Sequence, residues 1–278
     1  MDYFEGIADT VAAALREDVG SGDLTASLID DNKTAFARVI TRRPAIICGR
    51  PWVDETIRQV DDSIEVRWLV EEGSRARTSE PLFTLSGSAR SLLTVERTAL
   101  NFMQLLSGTA TKTNEFVEIV SNYNVTLLDT RKTIPGLRLA QKYAVKIGGA
   151  ENHRIGLFDA FLIKENHIEA AGSITNAINS ARKINPDVRL EVEVENFDQL
   201  QEAIDAGPDW IMLDNFSPEQ MQQAVMITRD SGIKLEASGG IESTEALRTI
   251  AATGVDFISI GALTKHTEAI DLSMRFES

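Results

Sequence analysis

Basic side chains concentrate in one stretch of an otherwise acidic chain. The formal net charge is −14, yet seven Lys or Arg residues and only three acidic residues lie between Asp129 and Lys164. Lys142 and Lys146 lie one turn apart on a predicted helix and are explained as a solvated face. Four further cations lie outside that helix and fit this explanation less well: Arg131, Lys132, Arg154 and Lys164. Because a guanidinium fork suits carboxylate and phosphate, this stretch predicts a site for an anionic ligand.

Acidic residues alternate with valines in the stretch RLEVEVEN, residues 189–196. In an antiparallel sheet with one open face, Glu191, Glu193 and Glu195 would simply meet solvent. In a parallel barrel both faces are covered, so the glutamates would point into the lumen while Val192 and Val194 face the helices. An unpaired buried carboxylate is costly or takes up a proton, so this second arrangement requires cations, water or a polar ligand inside.

The surrounding elements favour the parallel arrangement. From about residue 125, short β-rich runs alternate with segments of helical apolar periodicity. The predicted strands are 125–130, 160–168, 188–195, 210–215, 233–240 and 257–263. The predicted helices are 138–147, 174–184, 197–206, 218–228 and 243–252, and left-handed C-caps are expected at Gly148, Gly207, Gly232 and Gly254. Repeated strand–helix–strand units predict an α/β fold with a parallel sheet.

Ligands of parallel α/β folds gather at the carboxyl ends of the strands. These ends carry Asp129, Thr130, Arg131, Lys132, Lys164, the glutamates, Asp214, Ser238, Gly239, Gly240 and Gly261. Glycine turns let backbone N–H groups approach a phosphate. Carboxylates beside anion sites are typical of Mg²⁺ or of sugar hydroxyls. The set predicts a polyanionic, sugar-bearing substrate handled with Mg²⁺.

The first hundred residues have a different pattern. A helix near 6–17 precedes strands of two-residue alternation, and a long helix follows over 91–108. We predict an α+β domain over 1–108, an α/β barrel over 109–266, and a terminal segment, 267–278, that packs back on the first domain. Arg97 and Asn101 share a face of the long helix, and taken alone Arg97 is explained as a solvated arginine.

Composition excludes several classes of protein. The acidic net charge disfavours nucleic-acid and anionic-membrane binding. The single cysteine, Cys48, favours a reducing cytoplasm, and the acidic amino terminus is unlike a secretion signal. No apolar run approaches the ~20 residues of a membrane span. Three histidines and one cysteine disfavour structural zinc, and neither a P-loop nor a Rossmann glycine motif occurs.

The longest motifs resemble one family along nearly the whole chain. They are EDVGSGDLT, ERTALNFMQLLSG, LDTRKTIPGLR, GGAENHRIGLFDAFLIKENHI, EVEVEN, IMLDN, EASGGI and GVDFISIGALT. In this order they resemble quinolinate phosphoribosyltransferase. The resemblance implies transfer of phosphoribose from phosphoribosyl pyrophosphate to quinolinate, giving nicotinate mononucleotide, pyrophosphate and CO₂ for NAD synthesis. It also implies Mg²⁺, an incomplete TIM-like α/β barrel beside an open-faced α+β sandwich, and at least a homodimer, with dimer versus hexamer left open.

The resemblance also assigns residues. Arg131, His153, Arg154 and Lys164 match the quinolinate-binding set, and Arg97 matches an arginine donated across the dimer. Lys132, Glu193 and Asp214 match the catalytic group for ribose, pyrophosphate and Mg²⁺. The remaining substrate-binding positions are Thr130, Ser238, Gly239, Gly240, Gly261 and Ala262. Where the family often reads GALTHS this chain reads GALTKHTE, so Lys265 and His266 receive no role.

Three other functions fit parts of the pattern. The first is that of a paralogous family associated with molybdate transport. Members of that family lack the paired ENHR and IKENH motifs present here, which disfavours this alternative. A Schiff-base aldolase would use Lys164 on its barrel strand, but the arginines and glutamates around it disfavour a neutral amine. A non-catalytic sensor of pyridine carboxylates or phosphates would bind the same ligands without needing Glu193.

Overall fold

The structure is a computed structural model that describes residues 2–239 and 243–277. Within these ranges the chain folds into two compact units. The first comprises residues 2–114, 133–149 and 263–277, and the second comprises 115–132, 150–239 and 243–262. The predicted domains, residues 1–108 and 109–266, remain a prediction.

The described chain forms helices and strands in the following order. The first part contains α1 (Ile7–Val19), a 3₁₀ turn (Ala26–Leu28), β1 (Thr34–Thr41), β2 (Ala45–Ile46), α2 (Arg50–Val60), β3 (Glu65–Trp68), β4 (Arg75–Ala76), β5 (Pro81–Ser88) and α3 (Ala89–Val120). Then follow β6 (Thr126–Leu128), α4 (Arg138–Ile147), β7 (Phe161–Ile163), α5 (Glu165–Ala171), α6 (Ile174–Ile184), β8 (Leu190–Val194) and α7 (Phe197–Ala206). The last are β9 (Trp210–Asp214), α8 (Pro218–Thr228), β10 (Lys234–Ser238), α9 (Thr244–Ala251), β11 (Phe257–Ser259), α10 (Ala262–Lys265) and β12 (Leu272–Glu277). Within the described ranges, every helix is too short or too polar to cross a lipid bilayer.

An antiparallel sheet organises the first unit. Its strand order is β12–β1–β5–β3, and β2 and β4 form a separate pair. The C-terminal strand therefore lies beside β1, with Leu272 opposite Thr41. Alternate residues of β1 and β5 pack against the apolar face of α3, and the resulting buried cluster includes Ala37, Val39, Leu85, Leu92, Val95 and Leu100. Two-residue periodicity on the strands and helical periodicity on α3 thus meet in one core.

Helix α3 extends well beyond the predicted segment 91–108, and that prediction is wrong at both ends. Gly108 does not end the helix, because α3 runs on to Val120. The glycine is required by packing: a Cβ at position 108 would collide with the Glu268 carbonyl oxygen. A glycine inside a helix is costly unless such a close approach requires it.

The second unit is built on a parallel sheet of order β6–β11–β10–β9–β8–β7. The six strands in the described part of the chain compare with eight in a complete TIM barrel, and the predicted α/β fold class is confirmed. Val192 and Val194 are fully buried, and so is Glu191, while Glu193 is only 8% exposed. Glu195 follows the strand and is exposed, so two of the three alternating carboxylates are interior.

Predicted boundaries from about residue 125 onward are accurate for helices and less so for strands. The strand predicted over 160–168 ends at Ile163, and α5 begins at Glu165. The chain turns here because the Lys164 backbone N–H donates to His167 Nδ1 at 3.0 Å. The strand predicted over 257–263 ends at Ser259. Gly148 has φ −73°, so the predicted left-handed cap is wrong there, and the left-handed residue is Gly149 at φ 97°.

Aspartates fix the amino ends of two strand pairs. Asp209, just before β9, accepts the backbone N–H of Leu190 at 2.6 Å. Asp256, just before β11, accepts the backbone N–H of Leu235 at 2.9 Å. In each case the other carboxylate oxygen accepts from a neighbouring basic side chain. Both contacts lie at the end of the sheet opposite the one that carries the predicted chemistry.

We expect Asp209→Ala to lower the free energy of unfolding by about 1–2 kcal/mol, because the Leu190 N–H loses its acceptor. Asp209→Asn keeps an amide oxygen at that position and should lose less. Urea denaturation of the three proteins measures the difference, and turnover per folded molecule should not change. Equal stability of the wild-type and Ala proteins would contradict this role for Asp209.

Candidate active site

The structure brings several predicted residues together at the carboxyl ends of the parallel strands. Asp214 at the end of β9 lies opposite Ser238 at the end of β10. Lys164 directly follows β7, and its Nζ contacts Glu193 Oε2 on β8. Because neighbouring strands are parallel and in register, these four residues share one edge of the sheet. We call them the strand-end site.

A second group lies at the ends of β6 and β11, which are also neighbours. The Lys132 backbone N–H donates to Thr130 Oγ1 at 3.1 Å. A Cβ at Gly261 would lie 3.1 Å from Lys132 Cδ and 3.5 Å from Thr130 Oγ1. Gly261 therefore lets the Lys132 side chain approach the backbone closely, and Ala262, the next residue, begins α10.

Backbone turns follow β9 and β10. Gly239 has φ 138°, a conformation that residues with a side chain rarely adopt, so a glycine is required after Ser238. Asn215 is also left-handed, at φ 57°, and its Nδ2 donates to Asp214 Oδ2 at 2.9 Å. Gly240, predicted to extend the phosphate turn, lies outside the described residues.

The segment 151–154 runs beside the end of β6. Glu151 forms a parallel bridge to Leu128. Asp129, which is fully buried, accepts the His153 backbone N–H at 2.9 Å and Asn152 Nδ2 at 2.7 Å. One carboxylate thus holds the two residues that precede Arg154.

Arg131 and Arg154 form a pair of guanidinium groups in the same unit. Burial lowers the pKa of Arg154, and the positive charge of Arg131 lowers it further. Arg154 Nη1 also donates to the Ala160 carbonyl oxygen at 3.4 Å. Because two neighbouring cations repel each other, an anion bound near both relieves that repulsion. The pair is suited to a ligand with two carboxylates.

A buried cluster of His153, Glu191 and Glu236 lies in the interior of the same unit. His153 Nε2 is 2.9 Å from Glu191 Oε2 and 3.2 Å from Glu236 Oε2. Its Nδ1 accepts the Arg154 backbone N–H at 2.7 Å, which leaves the ring hydrogen on Nε2. Burial by itself lowers the pKa of His153, but the two carboxylates outweigh it and raise that pKa. Burial, and then repulsion by Glu236, raise the pKa of Glu191 to about 7.

The described contacts do not include two of the predicted residues, His153 and Arg97, in the strand-end site. His153 is 6% exposed, and its ring nitrogens lie close to the Glu191 and Glu236 carboxylates and to the Arg154 backbone N–H. Arg97 lies on an exposed face of α3 in the first unit, with Glu96 Oε1 4.0 Å from its Nη2. A role for either residue stays a prediction.

Three polar partners have no catalytic or binding role predicted from the sequence: the buried Asp129 and Glu236 and the half-buried Asn152. Asp129 is predicted only as a strand-end residue. Glu236 lies in KLEAS, where apolar and polar residues alternate as they do in LEVEV. This alternation could have identified Glu236 from the sequence. On a strand that is covered on both faces, it predicts a second glutamate in the interior.

The strand-end carboxylates fit a divalent cation better than the buried cluster does. Mg²⁺ prefers oxygen ligands and keeps several waters, and Glu193 and Asp214 offer carboxylates at the rim of the sheet. Of the described groups, the buried cluster brings three ligand atoms within 4.8 Å of one another. It offers a nitrogen donor that already carries hydrogen and no solvent access, so it does not suit Mg²⁺. The Lys164–Glu193 ion pair also disfavours the Schiff-base alternative, which requires a neutral amine.

Comparison with known proteins identifies relatives along the whole chain. The family model for the C-terminal domain of quinolinate phosphoribosyl transferase matches residues 109–275, and that for the N-terminal domain matches residues 23–107. The nicotinate-nucleotide pyrophosphorylase [carboxylating] of Mycobacterium leprae is 39% identical, over 98% of this chain and 97% of its own. The structure of the nicotinate-nucleotide pyrophosphorylase from Francisella tularensis superposes with a TM-score of 0.96 at 49% identity, covering 100% of this chain and 98% of that one. The corresponding protein from Ehrlichia chaffeensis gives a TM-score of 0.91 at 37% identity, covering 97% and 98%.

Proposed function

Since this chain belongs to the quinolinate phosphoribosyltransferase family, we propose that its strand-end site and the Arg131–Arg154 pair carry out that family's reaction. The protein is a carboxylating nicotinate-nucleotide pyrophosphorylase of NAD biosynthesis. It transfers phosphoribose from phosphoribosyl pyrophosphate to quinolinate, with loss of pyrophosphate and CO₂. The observation that carries the residue assignment is the Lys164–Glu193 ion pair beside Asp214 at the strand ends.

Quinolinate has two carboxylates on neighbouring ring carbons, and the guanidinium groups supply matching forks. Arg131 and Arg154 orient the diacid so that the ring nitrogen faces C1 of the ribose. Lys164 adds a third positive charge at the end of β7. Each contact fixes the ring rather than activating it, so this group acts mainly through proximity and orientation.

At the transfer step the ring nitrogen forms a bond to C1, and the bond from C1 to the pyrophosphate oxygen breaks. Positive charge develops on the ribose as pyrophosphate leaves. The carboxylates of Glu193 and Asp214 stabilise that charge, and Lys132 neutralises the departing pyrophosphate. The turns at Ser238–Gly239 and Gly261 bind the ribose phosphate through backbone N–H groups.

Decarboxylation follows from the product of the transfer. The alkylated nitrogen is part of a pyridinium ring, which accepts electron density from the adjacent carbon. The bond from that carbon to its carboxylate breaks, CO₂ leaves, and the electron pair on the carbon takes up a proton. The protein needs only to hold the ring in place during this step.

We assign the divalent cation of this reaction to Glu193 and Asp214, and Mg²⁺ is our choice among such cations because both ligands are carboxylates. When bound, the cation neutralises charge on pyrophosphate. The decisive experiment supplies purified protein with quinolinate, phosphoribosyl pyrophosphate and Mg²⁺ and measures released CO₂. Chelation should abolish turnover and added Mg²⁺ should restore it. A folded preparation with no turnover on this pair of substrates would overturn the proposal.

A homodimer with Arg97 donated to the neighbouring active site is also part of the proposal, supported by the exposed position of this arginine on α3. Arg97→Ala and Lys132→Ala proteins should each be inactive. After subunit exchange, half of the dimers are mixed and each holds one intact site, so about a quarter of wild-type activity should return. Strict inactivity after verified exchange would contradict donation in trans. The cytoplasmic location expected from the single cysteine stays a prediction.

A further inference from the structure

The buried cluster has no part in the reaction as described above. Glu191 and Glu236 are fully buried in an α/β interior, where ionised carboxylates are costly unless they are paired. Both approach one nitrogen, His153 Nε2, at hydrogen-bond distances of 2.9 and 3.2 Å. Such a cluster requires an explanation beyond stability, because apolar residues of similar volume would fill the same space at lower cost.

The geometry of His153 connects the cluster to the substrate-binding arginine. The His153 backbone N–H donates to Asp129 Oδ1 at 2.9 Å, and its ring Nδ1 accepts the Arg154 backbone N–H at 2.7 Å. The peptide that carries Arg154 is therefore fixed through the histidine ring. If the ring rotates, the Arg154 backbone N–H loses its acceptor. The backbone from which the Arg154 side chain extends is then no longer held in one position.

We propose that Glu191 and Glu236 are positioning residues that hold the His153 ring and thereby orient Arg154 toward a carboxylate of the substrate. The quinolinate part of this inference rests on the proposed function. His153 acts here as a buried link and does not contact the substrate through its ring. Two carboxylates in close contact with one ring nitrogen hold the ring from two strands, β8 and β10, so the position of Arg154 depends on the sheet.

Electrostatic contact between His153 Nε2 and the two carboxylates explains the cluster better than a bound metal. The ring hydrogen on Nε2 follows from the occupied Nδ1 and leaves that nitrogen no lone pair for a cation. The two carboxylates also approach with one oxygen each toward the same atom. A positioning role needs only these contacts, and it predicts that the cluster matters for binding one substrate and not the other.

The test is a double-mutant cycle on quinolinate binding, measured by calorimetry with the full-length protein. Glu236→Leu should weaken quinolinate binding by about tenfold or more, because misplacing a binding group by a fraction of an ångström is costly. Glu236→Gln keeps an acceptor oxygen and should lose much less. In an Arg154→Ala background, Glu236→Leu should add less than about twofold, since the group that it positions is absent. The affinity for phosphoribosyl pyrophosphate should not change, and exposed Glu195→Gln serves as the matched control.

Two results would overturn the positioning role: unchanged quinolinate affinity in folded Glu236→Leu protein, or the same loss with and without Arg154. If the Glu236→Leu protein fails to fold, NMR of the wild-type protein with labelled histidine tests the proposal instead, through the exchange of imidazole N–H hydrogens with solvent. His167 and His266 are exposed, so one slowly exchanging imidazole N–H is expected, from His153 Nε2, and saturating quinolinate should leave it in place. Loss of that protected proton on binding would overturn the proposal. Absence of quinolinate binding by the wild-type protein would instead overturn the proposed function.

Discussion

Turnover of the Glu193→Gln protein is expected to fall by about 10²–10³-fold, the usual loss when one group aimed at developing charge is removed. Glutamine has nearly the same shape, but it brings no negative charge to the ribose as pyrophosphate leaves. Quinolinate affinity should change by less than about threefold, because an interaction made only in the transition state does not contribute to ground-state binding. Initial rates and calorimetry on the same preparation separate the two quantities.

Glu195→Gln is the matched control, since Glu195 lies two residues further along the chain and is exposed. It should retain wild-type turnover. If Glu193→Gln retained full turnover as well, the assignment of Glu193 would be refuted. This variant also tests the non-catalytic sensor, whose ligand binding would persist unchanged without a carboxylate at position 193.

Arg131→Ala is expected to weaken quinolinate binding by about 10²-fold, because removing one partner of a charged, bidentate contact costs ~2–3 kcal/mol. Arg131→Lys should recover only part of the loss, since an ammonium group cannot present a planar fork to a carboxylate. Equilibrium binding of quinolinate measures both effects. The affinity for phosphoribosyl pyrophosphate should be altered far less.

Arg229→Ala provides the control for Arg131. Arg229 is an exposed arginine just after α8 in the same unit, and its loss should leave quinolinate binding intact. Wild-type affinity in a folded Arg131→Ala protein would refute the assignment of Arg131 to the diacid. A loss confined to phosphoribosyl pyrophosphate would move Arg131 to the other substrate.

The sequence was sufficient for those parts of the fold that depend on local periodicity. Helices α4, α6, α7 and α8 begin and end at the predicted residues. Apolar spacing indicates all four, and side-chain caps from Ser173, Asn196 and Ser217 define where α6, α7 and α8 begin. Strand ends were less accurate. The end of β7 depends on one contact, from Lys164 N–H to His167 Nδ1, which alternation of apolar residues cannot reveal.

The strand-end residues could be predicted for a different reason. In a parallel sheet the position along each strand fixes the edge that it reaches, so Lys164, Glu193 and Asp214 were expected at one edge from their places in the chain. The buried cluster depends instead on pairing between strands. Met212 lies opposite both Glu193 and Glu236, whereas Glu191 lies opposite Trp210. Glu236 is therefore in register with Glu193 rather than Glu191, and apolar alternation within one strand does not reveal that His153 contacts Glu191 and Glu236 together.

Asp209 and Asp256 fasten the sheet at the end remote from Glu193 and Asp214. The contacts that stabilise the sheet and the residues proposed to react therefore lie at opposite ends of the same strands. An engineer seeking a new acceptor in place of the pyridine diacid can randomise the loops at one end while leaving the other untouched. Substitutions in the strand-end loops during evolution would likewise leave the stabilising contacts of Asp209 and Asp256 in place.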